Sequence, residues 1–181
     1  MQRRRVLIGL LGAGGVALAG GAGVMYWSDP AAIETFPDTD SVLRWLESLT
    51  RNPAARSLDA WPLAQVLEHA AQSVEFSLEG YPELRSALFR HSVGPVALRV
   101  FSHRGRMTHD TREPIPGAPA LSATDIPTAA ARLTAALQRF EQIPNDSALA
   151  PHFAYGRLDK ADYRRAHLMH LADHARLIAL S

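Results

Sequence analysis

The sequence predicts an all-α fold: a four-helix bundle with one extra helix and a long Pro/Gly loop, preceded by an N-terminal signal or anchor segment. Three observations carry this. Apolar residues recur at helical spacing in five stretches. No run alternates apolar and polar residues as a half-buried strand does. The roughly 140 residues after Asp40 are enough to bury a single core.

The elements follow in chain order. Gln2, Arg3, Arg4 and Arg5 lead into 22 uncharged residues, 6–27, which combine a charged start with a long apolar run and therefore read as an address rather than as fold. Paired arginines just ahead of Val6, Leu7 and Ile8 resemble a twin-arginine signal, and the glycine-rich, mildly apolar core suits that route. Ala17-Leu18-Ala19 offers a cleavage site, while 22 residues at about 1.5 Å each also suffice to span a bilayer. Residues 1–27 are thus expected to be a twin-arginine-like signal peptide or a membrane anchor, placing the domain in the periplasm or otherwise outside the cytoplasmic membrane of a bacterium. Residues 28–39, proline-rich and acidic, read as a linker or extended arm, and residues 40–181 as the bundle.

Helical patterns fall at about 40–50, 62–80, 82–103, 123–142 and 159–180. Pro62 and Pro82 occupy plausible first-turn positions. Ser122 with Asp125, and Asp159 with Asp162, mimic capping boxes with Asp in place of Glu. Gly94-Pro95 is expected to break or kink the third helix. Between helices, residues 103–122 contain Pro114, Pro116, Pro119 and Gly117, which deny a continuous helix and make a loop across the bundle surface. Arg99, Arg104, Arg106 and Arg112, with His103 and His109, stand there against Asp110; they are either a solvated loop or a lid that draws an anionic group.

Composition removes several functional classes. The chain has no cysteine, so disulfide frameworks, thiolate metal sites and cysteine nucleophiles are excluded. Taking Arg3, Arg4 and Arg5 from the 19 basic residues leaves 16 against all 18 acids, with Lys160 the sole lysine. A slightly acidic body has no footprint for a phosphate backbone, so no nucleic-acid partner is expected.

The chemistry rests on histidine. Three of eight histidines crowd the last helix, as AHLMHLADHARL. At about 100° per residue from His170, His174 lies near +40°, His167 near +60°, Tyr163 near +20° and Leu177 near −20°, a single stripe facing the core. Arg164, Arg165 and Arg176 lie on the other side. Burying imidazoles without partners costs about 1–3 kcal/mol each, so something must satisfy them. A divalent metal does so: His170 and His174, at i and i+4, can aim two ring nitrogens at one point, and His69, on a core-facing stripe with Val66, Ser73 and Phe76, is the natural third ligand. Without a metal, the same histidines would bond one another, Tyr163 or Asp173. His167 could replace a ligand, support one, or relay protons; Asp173 reads as a solvated acid or as the partner of a ligand.

His69 within VLEHAAQSVEFSLEGYP, PIPGAP at 114–119, Pro151-His152-Phe153-Ala154-Tyr155-Gly156 and the terminal HLMHLADH together resemble the metal-binding DinB/YfiT-like helical-bundle superfamily, in a domain-of-unknown-function branch. The likeness covers about residues 40–180. It implies an up-down-down-up bundle and a zinc, nickel or other divalent ion held by His69, His170 and His174. It also implies thiol-dependent transfer chemistry, although low-molecular-weight thiols are scarce where an exported domain works. Hydrolysis by a metal-activated water is the other use of such a site. His152 and Tyr155 are then candidate catalytic residues, or a loop anchor packed on the bundle end.

The functional expectation is an exported metal-dependent enzyme, hydrolase-like or thiol-transferase-like, acting on a small molecule, anionic if the loop arginines draw it. It touches the membrane only through its N-terminal segment and can form a homodimer. The alternative is a non-catalytic envelope metal-binding or interaction module, whose ion would be closed off by a fourth protein ligand.

Overall fold

A computed structural model describes residues 29–121 and 125–181. The signal or anchor at 1–27 and the proposed cap Ser122 lie outside the described residues. Among these residues the fold is mostly helical: α1 (Thr39–Arg51), α2 (Leu63–Glu79), α3 (Ala87–His91), α4 (Val93–Arg104), α5 (Ile126–Gln142) and α6 (Lys160–Ala175). Two short strands, β1 (Arg56–Ser57) and β2 (Ile178–Ala179), pair antiparallel.

Side chains set the helix starts. Asp38 accepts from the Ser41 backbone N–H at 2.7 Å and closes a capping box on α1. Asp159 accepts from the Asp162 N–H at 2.8 Å ahead of α6, as the spacing predicted, whereas α5 starts three residues later than expected and Asp125, read as the third residue of a box begun by Ser122, is itself the cap, accepting from the Thr128 N–H at 2.7 Å.

α2 is the central rod. Residues 63–74 are buried except Gln65, which is partly exposed, so the helix has no solvent stripe in its first three turns. It packs extensively on α5 and also on α6, while α1 covers α5 and α4 rests on α6. The apolar core joins Leu67, Ala71 and Val74 of α2 to Leu133, Leu137 and Phe140 of α5 and to Tyr163 and Met169 of α6. One ion-pair cluster crosses this contact: Arg132 of α5 donates to both oxygens of Glu75, at 2.9 and 2.7 Å, and to the buried Glu68. Glu68 tolerates burial because a guanidinium and its hydrogen bonds meet it there.

Two helix expectations are corrected. The helix expected over 82–103 starts only at Ala87, which leaves Pro82 outside its first turn, and the break expected at Gly94-Pro95 falls two residues earlier, with the chain turning at Ser92 (φ −131°, ψ −81°). Pro95 falls in the first turn of α4, where its missing N–H costs nothing. The required residue is Gly94: a Cβ there would stand 1.9 Å from the Ala154 carbonyl oxygen. The last helix, expected to run to 180, ends at Ala175, and Leu177 leaves the helical stripe to accept from the Leu58 N–H at 2.8 Å beside the β1–β2 pair.

α6 is also less one-sided than its stripe suggests. Met169, roughly opposite the histidines, is fully buried. Within the segment expected to link, Ile33 and Phe36 are buried in the core, and Ala31 donates to the Ser102 carbonyl at 3.1 Å. Arg165 fastens that arm by donating to the Ala31 carbonyl and, at 2.6 Å, to the Ser102 carbonyl.

Candidate metal centre

α6 presents His170 and His174 one turn apart, and α2 presents His69 across from them. His69 Nε2 lies 3.2 Å from His170 Nε2, which lies 3.2 Å from His174 Nε2. His109, from the loop after α4, brings its Nε2 to 3.3 Å from His174 Nε2. One ring nitrogen from each of the four lies within 4.8 Å of all the others. His69 and His174 are buried, and His109 and His170 partly so.

These distances pose a satisfaction problem. A neutral imidazole nitrogen holds either one proton or one lone pair, never both. His170 Nε2 touches two other ring nitrogens, and so does His174 Nε2. Three contacts among four nitrogens therefore support at most two hydrogen bonds. A cation accepts all four lone pairs at once. Nitrogens about 2.1 Å from a common ion stand about 3.0–3.4 Å apart as neighbours and about 4.2 Å apart across it, and the observed neighbour distances fall in that range. The four-histidine cluster can hold a metal ion.

The surroundings keep the rings neutral. Burial, with His174 and His109 adding like-charge repulsion, lowers the His69 pKa to about 3. Burial and the facing histidines hold His170 well below its ordinary value. Burial and His109 bring His174 to about 4, against the opposing pull of Asp173 and Asp59. Neutral imidazole is the ligating form.

Asp173 positions the loop histidine, His109. It is buried; its Oδ2 lies 2.8 Å from His109 Nδ1, off the hydrogen-bond direction, and accepts from the His109 backbone N–H at 3.1 Å. Its other oxygen accepts from Arg176 Nε at 2.6 Å. Asp173 is thus a buried acid that holds the His109 backbone and stands beside its ring, rather than a solvated one. Trp61 sets a ring edge against His69, with centroids 5.2 Å apart.

The cluster forms part of the wall of a cavity of about 280 Å³, which His69, His109 and His170 line. Phe89, Met107, Ile115 and Phe153 make it largely apolar, Arg85 is its one arginine, and residues 113–116 of the proline loop close one side. Gln72 Nε2 ties that loop to α2 by donating to the Pro119 carbonyl at 3.1 Å. Arg99, Arg104, Arg106 and Arg112, expected to steer an anion, do not line this cavity; Arg112 bends back to Asp110 at 3.2 Å.

The remaining site candidates also meet the cavity. His152 Nδ1 accepts from the backbone N–H groups of Ala154 and Tyr155 at 3.1 and 3.2 Å, leaving the ring proton on Nε2. A short turn holds it there: His152 and Gly156 exchange backbone hydrogen bonds, and Gly156 adopts φ 78° where a Cβ would meet the Arg90 carbonyl oxygen at 2.7 Å. The ring stacks on Tyr155 at 4.3 Å, and burial lowers its pKa to about 3. Tyr155 is pushed up to about 12 by burial. His167 stands 3.2 Å from Ser77 Oγ, which itself donates to the Val74 carbonyl at 2.6 Å, so the imidazole N–H donates to the hydroxyl. His167 is not one of the four converging residues. Tyr163 donates to the Ala150 carbonyl at 2.7 Å rather than to a histidine.

His69, His170 and His174 are therefore brought together, and His109 is the member that sequence reasoning placed elsewhere, among the charges of a loop. No helical stripe marks a loop residue, and its pairing with Asp173 crosses 64 positions.

A family model described as Protein of unknown function (DUF1569) matches residues 29–180 of this chain. The chain belongs to that family. No curated protein and no solved structure matches it.

Proposed function

We propose that this DUF1569 member is a metal-dependent enzyme of the bacterial cell envelope, hydrolase-like or thiol-transferase-like, whose centre is the imidazole cluster and whose small-molecule site is the adjoining cavity. One observation carries the reading: His170 Nε2 and His174 Nε2 each touch two further ring nitrogens, more than hydrogen bonding can satisfy, and three of the four rings line the cavity. The ligands are His69, His170 and His174, with His109 joining from the loop. Zinc or nickel suits four imidazoles, and a divalent ion there supplies Lewis acidity to whatever polar group enters the cavity.

The chain's own residues supply the rest. His152, with its proton fixed on Nε2, serves as a hydrogen-bond donor rather than a base, since its other nitrogen is committed to two backbone N–H groups. Tyr155 stays protonated and can donate as well. Phe89, Met107, Ile115 and Phe153 exclude water around an apolar substrate body, and Arg85 is the cation available to an anionic group. Export rests on the N-terminal residues 1–27, whose paired arginines and uncharged run support a signal or anchor.

A second reading, a non-catalytic metal-binding module, is favoured by the fourth histidine, because four protein ligands close a tetrahedral ion. Cobalt-substituted protein separates the two. An absorption spectrum that azide perturbs supports the enzyme; a spectrum indifferent to azide supports the closed module. Failure of metal-stripped protein to take up any divalent ion defeats both.

A further inference from the structure

The segment from Leu84 to Arg106 stands apart from the rest of the chain. It carries five arginines and two histidines and no acidic residue, in a body that is slightly acidic overall. Among the described residues it also holds four of the six exposed large apolar side chains. Leu88 of α3 is 80% exposed, Val93 and Val96 of α4 are each 56% exposed, and Leu84 is exposed just ahead of α3. At about 100° per residue, Val93, Val96 and Val100 lie within about 60° of one another on α4, with Arg104 on the same side and the buried Leu98 turned away. α3 packs on α4, so Leu88 adjoins this face. Arg99 faces Asp162, but Arg85, Arg90, Arg104 and Arg106 form no ion pair with any described residue.

The first described residues border the same region: Asp29 and Pro30, which follow Ser28 at the end of the uncharged run in sequence, line a groove with Arg90, His91, Pro95 and Arg99. Exposed aliphatic residues between unpaired arginines, at the root of a 22-residue uncharged segment, are the combination that binds an anionic lipid surface: apolar side chains enter the headgroup boundary and each basic side chain near the surface adds about 1 kcal/mol.

We propose that the α3–α4 face docks on an anionic lipid bilayer, giving the domain a fixed seat on the membrane in addition to any hold by residues 1–27. The inference is independent of the metal reading and shares with it only the envelope location.

Since the chain has no cysteine, single cysteines can report on it. Full-length protein carrying Leu88→Cys or Val96→Cys, labelled with an environment-sensitive fluorophore, is reconstituted into phosphatidylcholine vesicles with or without phosphatidylglycerol; Ser48→Cys on α1 is the reference position. The expected result is a blue shift at positions 88 and 96 in the phosphatidylglycerol vesicles, none at 48, and loss of the shift when Arg90→Glu, Arg99→Glu and Arg104→Glu are combined. No shift, or an equal shift at 48, overturns the proposal. A shift that appears without lipid and grows with protein concentration also overturns it, assigning the face to a second copy of the chain. Metal content measured on the same samples keeps this outcome separate from that of the proposed centre.

Discussion

Asp173→Asn tests the support of the loop ligand with little change of shape. In the wild type three donors or ring nitrogens converge on this carboxylate: the His109 backbone N–H at 3.1 Å and His109 Nδ1 at 2.8 Å on one oxygen, and Arg176 Nε at 2.6 Å on the other. The amide keeps a single acceptor oxygen, so whichever way it turns, at least one former partner faces an NH₂ group. Losing the partner of a metal-bound histidine costs about 10–100-fold in metal affinity, which is about 1.4–2.7 kcal/mol. Competition titration of metal-stripped protein against a chromophoric chelator reads this directly, with circular dichroism confirming the fold. Arg176→Ala, which removes only the partner more than half exposed to solvent, is expected to cost much less. If Asp173→Asn binds the ion as tightly as the wild type while folded, the role given to Asp173 and His109 is wrong.

Three further outcomes follow from the same geometry. Arg132→Met removes the guanidinium that faces both the buried Glu68 and Glu75 and is expected to cost about 3 kcal/mol in urea unfolding, with Glu68→Gln on the same background recovering part of it. Glu141 is held below the ordinary carboxylate range, first by hydrogen bonds from Arg164 at 2.8 and 2.6 Å and, despite burial, also by Thr39. Its contribution is fully present above the unfolded-state pKa and is lost as pH falls through the folded value, so the stability gap between wild type and Glu141→Gln should close on acidification below about pH 4.5. His152 and His167 are buried neutral with pKa values lowered to about 3, so the unfolded chain binds more protons below pH 6.5. Each should therefore remove about 1.4 kcal/mol of stability per pH unit of acidification, and His167→Phe should flatten the thermal-melt profile below pH 6 by about one histidine's share.

The local grammar of the chain was legible where one residue decides the outcome. Asp159 caps the helix it precedes, as its spacing from Asp162 indicates, and the i,i+4 spacing of His170 and His174, with His69 on a second rod, placed three of the four imidazoles. Features set by contacts distant in sequence were not legible. A break near Gly94-Pro95 was legible, but not its place at Ser92, nor the close approach of α4 to the Ala154 carbonyl that requires Gly94. The strand pair β1–β2 is two residues long and joins positions 56 and 179, which carries no periodic signal. The burial of Met169, roughly opposite the histidines, and of Ile33 and Phe36 in the arm ahead of α1 was not marked by the histidine stripe. His109 belongs to the same class, since only the folded loop brings it to Asp173.

X-ray absorption at the edge of the metal bound by protein matured in its native host tests the central claim most directly. The account predicts one ion per chain in a shell dominated by three to four imidazole nitrogens near 2.1 Å, with content lost in His170→Ala. An ion held by oxygen donors, or equal metal content in wild type and His170→Ala, contradicts it.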